Sequence, residues 1–597
     1  MSDLWRTHRC GQVSKKEVGC RVILSGWVHR RRDHGGLIFI DLRDKYGIIQ
    51  LVCDPKINAQ MHSQAERVRS EWVLRITGQV VLRKEGMQNL RMASGQIEVE
   101  VSSLEVLSKA CTPPFSICEE EEMLQEENRL KYRYLEMRRG KLLQNLYFRH
   151  RLTLFIRNFM DRREFVEVNT PILCRSTPEG ARDYLVPSRI YPGHFYALPQ
   201  SPQLFKQLLM IGNLDRYFQI APCFRDEDLR ADRQPEFTQL DFEMSFASTE
   251  ELYSLVEDLF SAIFSDLLDL SLPLPFPRLS YAQCMQKYGT DKPDLRFDLS
   301  FIVLDDIVRR SECALLKRQL EKGGIARAIC VPKGAELSRR ELEKYAAFVS
   351  SFGLEGLSWM KVEERELRSP LAKFFSSSLQ KELIDCTRAA AGDLLLLAVG
   401  KEEIICQAFD HLRRKIARDL GLISSKHHYF LWVIDFPLFS WSGQEERWKA
   451  SHHPFTAPKR EDIALLDSEL EKVHSSSYDL VLNGYELGSG SQRIHNWQLQ
   501  QRIFRALQLS EQQLQEKFGF FLKALQYGTP PHLGMALGME RLLMILLGTE
   551  NIRDVVSFPK SHRGMDLMSQ TPTSIEVEQL CELGLTINSR KEKGESK

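Results

Sequence analysis

The sequence predicts a multidomain α/β protein with a small N-terminal β-barrel, a central domain built on a charged strand floor, and an inserted α+β segment. Three observations predict it. Residues 200–246 read QSPQLFKQLLMIGNLDRYFQIAPCFRDEDLRADRQPEFTQLDFEMSF, where two strand-like runs, 215–225 and 237–246, flank a loop made almost wholly of charged residues. Residues 1 to about 110 carry several short strands between turn signals, as in VILSGWVHRRRDHGGLIFIDLRDKYGIIQLVCD, the pattern of a small barrel. Residues from about 286 to 420 are rich in Lys and Arg and alternate helix and strand patterns without the charged-floor signature.

At 597 residues the chain exceeds what one core supports, so several domains are expected. Hydrophobic content of 43% and charged content of 27% are those of an ordinary globular protein. No apolar run reaches the ~20 residues of a bilayer span, and MSDLWRTHRCGQ lacks a signal-peptide core, so a cytoplasmic location without membrane contact is expected. Thirteen cysteines without a CxxC pair argue against structural zinc and for reduced thiols. The net charge of +1 hides a basic cluster at Arg30, Arg31 and Arg32 and an acidic one at Glu119–Glu122. Local patches can bind nucleic acid while the neutral total opposes indiscriminate polyanion binding.

In the barrel, Phe39 lies one strand from Gln50 and near Arg30–Arg32. An exposed aromatic, an amide and arginines on a curved sheet suit single-stranded nucleic acid, although LIFID is apolar enough to be a core strand, and composition favours that. Residues 111–125, with paired prolines and the acidic run, read as a linker. A helical segment follows over 138–163, ending in EFVEVNTPIL, read as a strand closed by Pro171.

In the run 237–246, Thr238, Leu240, Phe242, Met244 and Phe246 alternate with Gln239, Asp241, Glu243 and Ser245. A period of two gives one packing face and one face presenting two carboxylates and an amide on a rigid floor. Arg225 and Arg233 bracket the charged loop, where a polyphosphate could be clamped. In YDLVLNGYELGSGSQRI, Asp479 and Glu486 bracket a strand, Gly488 and Gly490 allow close ligand approach, and Arg493 follows. Paired carboxylates beside phosphate-binding arginines make a reasonable Mg²⁺ site, while a strand ending in a Gly-rich turn is the commoner cause of such a pattern. In PPHLGMALGMERLLMILLG a strand turns at Gly538 into a helix whose first turn holds Arg541. A cation there opposes the helix dipole unless an anion joins it. In SHHPFTAP, adjacent His452 and His453 point apart in extended chain, which opposes a metal site using both.

Together these segments resemble the class II aminoacyl-tRNA synthetases, and within them the bacterial type of aspartyl-tRNA synthetase. FMDRREFVEVNTPIL is similar to the family's first motif, FRDEDLRADRQPEFTQLDFEMSF to the second and GMALGMERLLM to the third; QSPQLFKQ and TPEGARDYLVPSR add to the match. The resemblance implies an OB-fold anticodon-binding domain over 1–110, a hinge over 111–140, an antiparallel-sheet catalytic domain in two parts (141–285 and 421–563), a bacterial-type insertion over 286–420, and a C-terminal extension over 564–597. It implies a homodimer using ATP and Mg²⁺, without zinc. Arg225 with Glu227 would hold the ATP α-phosphate against the aspartate carboxylate, and Arg541 would bind the γ-phosphate. Asp226, Gln234, Glu486, Gly538, Met539 and Glu540 would complete the nucleotide site, with Asp479 and Glu486 on Mg²⁺. Ser201, Gln203 and Glu179 would hold the amino-acid ammonium; Arg493 and Lys206, oriented by Asp241 and beside His452 or His453, would grip the side-chain carboxylate. Glu540 stands where family members often carry aspartate.

In the barrel the resemblance gives Arg32, Phe39, Gln50 and Glu98 to the anticodon. His34 and Gly86 stand where discriminating bacterial members carry leucine and lysine. Members with histidine and glycine charge both tRNA-Asp and tRNA-Asn, so dual specificity and a downstream amidotransferase are expected. The alternatives are a tRNA-Asp-only enzyme, an asparaginyl or lysyl relative, and a non-catalytic tRNA-binding paralogue. The last should have lost Arg225, Glu486 or Arg541, and all three are present.

Overall fold

The computed structural model describes residues 4–90, 92–118, 124–177, 180–364, 366–424, 427–443 and 445–587. The acidic run Glu119–Glu122, Glu179 and the polar tail from 588 onward therefore lie outside the described residues. Two compact units result, residues 1–147 with 556–573, and residues 148–555 with 574–597.

The first unit holds a closed five-stranded barrel of β1 (Arg21–His34), β2 (Leu37–Asp44), β3 (Gly47–Cys53), β4 (Val73–Leu82) and β5 (Ile97–Ser108), in the order β1-β2-β3-β5-β4. Alternation closes it: Val22, Leu24, Val28, Ile38, Ile40 and Leu51 are fully buried in one interior cluster. The tight β1–β2 turn is Gly35-Gly36, with φ of 63° and 79°, angles that glycine adopts without a Cβ penalty. Phe39, between Ile38 and Ile40, is half-buried and points outward. The core placement that its apolar strand favoured is thus corrected: period two sends it to the other face.

The second unit is built on an eight-stranded sheet. Its N-terminal pieces are the two-residue β6 (Val166–Glu167), the small hairpin of β7 (Leu185–Pro187) and β8 (Phe195–Ala197), then β9 (Arg216–Phe224), β10 (Glu236–Ser245) and β11 (Arg278–Ser280). A separate five-stranded sheet follows, ordered β12-β13-β16-β14-β15, from β12 (Phe301–Val303), β13 (Ile325–Val331), β14 (Ser358–Glu363), β15 (Glu366–Arg368) and β16 (Leu394–Gly400). The helix Glu402–Asp419 leads back to β17 (Phe430–Ile434), the hairpin of β18 (Phe439–Ser442) and β19 (Arg447–Ala450), then β20 (Ser477–Leu482), β21 (Tyr485–Gln492) and β22 (His532–Gly538). The large sheet runs β11-β17-β20-β21-β22-β10-β9-β6, antiparallel except for the β11/β17 and β6/β9 pairs.

One face of this sheet packs on the helices Lys141–Asp161 and Thr249–Leu268 through Leu152, Ile156, Phe242, Met244, Leu252, Val256, Phe260 and Trp432. Each such side chain contributes about 1.5–3 kcal/mol on burial. The helix Thr249–Leu268 begins in a Ser248/Glu251 capping box, which satisfies two orphan backbone donors.

Three sequence expectations change here. EFVEVNTPIL yields only the two strand residues of β6. Phe246 is 74% exposed at φ 56°, because β10 ends at Ser245 and the chain turns away in the left-handed region. Asp479 and Glu486 sit on two strands of a hairpin, not at the ends of one. Asn483 and Gly484, at φ 53° and 83°, make the turn, the Asn-Gly signal of a tight hairpin. Gly488 and Gly490 are strand residues whose missing side chains let β22 approach, an added Cβ lying 2.3 Å from Ala536 O and 2.4 Å from Gly534 O respectively.

Candidate active site

A cavity of about 400 Å³ opens over the polar face of the large sheet, its wall including Ser201, Gln203, Lys206, Arg225, Arg493 and Arg541. At one end the chain buries four charges. Lys206 comes from the helix Gln203–Ile211, Asp241 and Glu243 from β10, and Arg493 from just beyond β21. Lys206 Nζ lies 3.0 Å from an Asp241 oxygen and 3.2 Å from Glu243 Oε2. Arg493 donates from Nε to Glu243 Oε1 at 2.9 Å and from Nη2 to Oε2 at 3.2 Å, a two-pronged pair. None of the four is more than 2% exposed. The floor that alternation predicts is real, its anions neutralised by cations from distant segments, with Lys206, Asp241 and Arg493 bordering the cavity.

The two carboxyls are driven apart. Burial raises Asp241 to about 6, against the opposing pull of Lys206. Burial also acts to raise Glu243, but Arg493 and then Lys206 outweigh it and lower the group to about 2. Glu243 therefore stays ionised as the fixed counter-charge. Sequence reasoning puts it on the floor and assigns it no role; the missing signal is that both its partners come from far along the chain. Ser491, which accepts from Arg493 Nη1 at 2.6 Å, is likewise absent from the expected set. Arg493 Nη1 also donates to His453 Nε2 at 2.7 Å. Burial, reinforced by Arg493, pushes the His453 pKa well below its usual value, so a neutral ring accepts that bond. His452 points elsewhere: burial opposes its charge, but the Asp479 carboxylate, 3.8 Å away, brings its pKa above the usual value.

At the other end the cavity is cationic and incompletely satisfied. Arg225 stacks over Phe237 at 5.1 Å, and among the described residues its guanidinium has no hydrogen-bond or ion-pair partner. Glu227 pairs with Arg233 at 2.8 Å. Arg541, in the first turn of the helix Met539–Leu546, donates to the Glu486 carbonyl and, at 3.2 Å, to Asp232, which the sequence reading also omitted. Its Nε is buried and, among the described residues, has no hydrogen-bond partner, and the same holds for Gln203 Nε2; Asp479 does not border the cavity, and its Oδ1 lies 3.8 Å from His452 Nε2. Unsatisfied groups clustered at one cavity imply a missing partner. Glu486 is half-buried, and burial followed by the Asp479 charge raises its pKa.

Gln234, Glu486, Gly538, Glu540 and His452 also border the cavity, whereas Asp226 and Met539 do not. Met539 is in the core, and Asp226 forms a backbone bridge with Arg182. Glu540 is buried with one oxygen 2.7 Å from Arg149 and the other accepting the Thr238 amide at 2.8 Å. Thr238, expected on the packing face, instead joins this link through its hydroxyl, 2.9 Å from Arg149.

On the barrel, Arg32, Phe39, Gln50 and Glu98 form one outward cluster. Phe39 is opposite Arg32 in the β1–β2 register, and Asp41 is opposite Gln50. Arg32 donates to Asp41 at 2.8 Å and to Gln50 at 3.3 Å, and Gln50 donates to Glu98 at 3.0 Å. His34 is exposed at the end of β1. Gly86, at φ 80° in the β4–β5 loop, has open space around it.

The family model described as tRNA synthetases class II (D, K and N) matches residues 125–562, and one described as an OB-fold nucleic acid binding domain matches residues 22–107. The chain is 52% identical over 587 residues to the aspartate--tRNA(Asp/Asn) ligase of Protochlamydia amoebophila, covering 98% of each. It is 54% identical to the ligase of the same name from Chlamydia trachomatis, covering 98% of this chain and all of that one. In fold it is similar to asparaginyl-tRNA synthetase from Pyrococcus horikoshii complexed with asparaginyl-adenylate. That likeness has a TM-score of 0.58 at 19% identity and covers 93% of this chain and 98% of that one.

Proposed function

The chain belongs to the class II tRNA synthetases (D, K and N), and on that premise we propose that it attaches L-aspartate to tRNA in two ATP-dependent steps. The observation that carries the choice of aspartate is the buried Lys206–Arg493 pair, held by Asp241 and Glu243 at the closed end of the cavity. Two cations can grip a further carboxylate, whereas an asparagine amide would aim its NH₂ donor at donors, a penalty of several kcal/mol. Gln203 and Ser201 on the adjoining wall suit the amino-acid ammonium.

In the first step an oxygen of the aspartate α-carboxylate attacks the ATP α-phosphorus and pyrophosphate leaves. Both reactants are anions. The Arg225 guanidinium, without a hydrogen-bond or ion-pair partner among the described residues, suits bridging them, and Arg541, whose Nε has no hydrogen-bond partner among them, suits the phosphate tail. Asp479 and Glu486, carboxylates on the two paired strands of one hairpin, would hold Mg²⁺. When bound, the ion supplies positive charge to the phosphates. In the second step a ribose hydroxyl at the tRNA 3′ end attacks the activated carbonyl and AMP leaves. These residues act by positioning and electrostatics.

His34 and Gly86, with the name Asp/Asn carried by the similar ligases, support charging of both tRNA-Asp and tRNA-Asn. The working form is a cytoplasmic homodimer, and its Asp-tRNA-Asn product requires an amidotransferase. Amino-acid-dependent exchange of labelled pyrophosphate into ATP tests the first step. Aspartate, not asparagine, should support exchange, and Lys206→Met should raise KM for aspartate on the order of a hundredfold. Equal exchange with asparagine would contradict the assignment.

A further inference from the structure

The turn of the carboxylate-bearing hairpin is held from both sides by the two connections of the inserted five-stranded unit. Asp479 lies on β20 and Glu486 on β21, joined by Asn483-Gly484. Asn483 is buried; its Oδ1 accepts the Tyr429 amide at 2.9 Å and its Nδ2 donates to His427 O at 3.3 Å. Those two residues belong to the connection that returns from the inserted unit to β17. On the opposite side Gly484 meets the outgoing connection: a Cβ built on it would lie 3.0 Å from Asp294 Cβ. Asp294 is fixed in turn. Its carboxylate forks onto Arg296, and its carbonyl accepts from Arg413 Nη2 at 2.9 Å.

Arg413 is the fastener. It projects from the helix Glu402–Asp419, the last helix of the inserted unit, is fully buried, and also donates from Nε to Leu299 O at 3.1 Å. The rings of Phe297 and Tyr288 lie 4.5 Å and 4.8 Å from its guanidinium carbon. A buried arginine gripping two backbone carbonyls fixes a connector more firmly than apolar packing would, because removing it leaves buried acceptors unsatisfied.

We propose that Arg413 and Asn483 are positioning residues, and that through them the inserted unit sets the spacing of Asp479 and Glu486 for a divalent cation–nucleotide pair. The inference rests on the nucleotide reading of the cavity given above. It assigns the insertion a part in the first chemical step, beyond any contact it makes with tRNA.

Three variants test it. Arg413→Met removes both carbonyl bonds, Arg413→Lys keeps the charge and can restore one, and Asn483→Gly removes the two side-chain bonds on the return side, leaving the backbone bond from residue 483 to Tyr429 O at 3.2 Å, while keeping a residue tolerant of positive φ. Binding of Mn²⁺ with a non-hydrolysable ATP analogue, read by electron paramagnetic resonance, should weaken roughly five- to tenfold in R413M and N483G, and less in R413K. In pyrophosphate exchange the Mg²⁺ requirement and KM for ATP should rise in parallel, with KM for aspartate unchanged. Because N483G lies outside the inserted core, it keeps the test alive if R413M fails to fold. Unchanged Mn²⁺–nucleotide binding in a folded N483G, or an equal rise in KM for aspartate, overturns the proposal. Failure of the unaltered chain to use aspartate would instead remove the amino-acid assignment, and the Mn²⁺ comparison would still decide the role of the clamp.

Discussion

Glu243 is the residue on which the buried site turns. It is wholly buried and serves both cations, Arg493 through two bonds and Lys206 at 3.2 Å. Replacing it by glutamine keeps the shape and leaves two buried cations with Asp241 alone, so a loss of about 3–5 kcal/mol is expected at neutral pH. The pH dependence has a definite sign. The Glu243 pKa is lowered from 4.5 to about 2, so its contribution is fully present above pH 4.5 and disappears as pH falls through 2. Asp241 runs the other way, raised from 3.8 to about 6, so it costs stability above pH 6 and that cost fades toward pH 3.8. Thermal melts of wild type and E243Q should therefore be widely separated at pH 7, draw together below pH 4.5 and converge only as pH falls through about 2. A constant gap would mean that Glu243 acts by packing, not by charge. The resemblance implies Lys206, Arg493 and Asp241 at one place, but not the part played by Glu243: alternation puts Asp241 and Glu243 on one face, while Arg493 is 250 positions from Glu243.

At the scale of elements, local pattern places the strands that form the floor. β9 and β10 fall within a residue or two of the expected runs, and Arg541 occupies the first turn of its helix as expected. Errors arose where a local signal was outweighed or passed over. Asn483-Gly484 makes the hairpin turn, while the more conspicuous Gly488 and Gly490 serve the approach of strands. Gly534 on β22 makes the same point and carries a prediction. A Cβ there would lie 1.9 Å from Glu243 Oε2 and 2.3 Å from Phe242 O. The carboxylate cannot retreat, because Arg493 and Lys206 hold it. Gly534→Ala should therefore cost at least the ~1–3 kcal/mol of ordinary overpacking and disturb aspartate binding as well, seen as a lower Tm together with a higher KM for aspartate. A normal melt would contradict the fit of β10 against β22.

At the scale of the molecule, the chain divides its work between the barrel unit and the large-sheet unit. The barrel was legible because period two and turn signals suffice to define it, and the same period explains why Phe39 faces outward between two buried isoleucines. The roles of His34 and Gly86 have no such geometric signature. One is an exposed strand end and the other an open loop glycine, so their meaning depends on what the anticodon offers. The most direct test of the account is ATP-dependent charging of purified tRNA-Asp and tRNA-Asn transcripts with labelled aspartate. Comparable efficiency on both is the predicted result. Charging of tRNA-Asp alone would contradict dual specificity, and charging of neither would contradict the proposed enzyme itself.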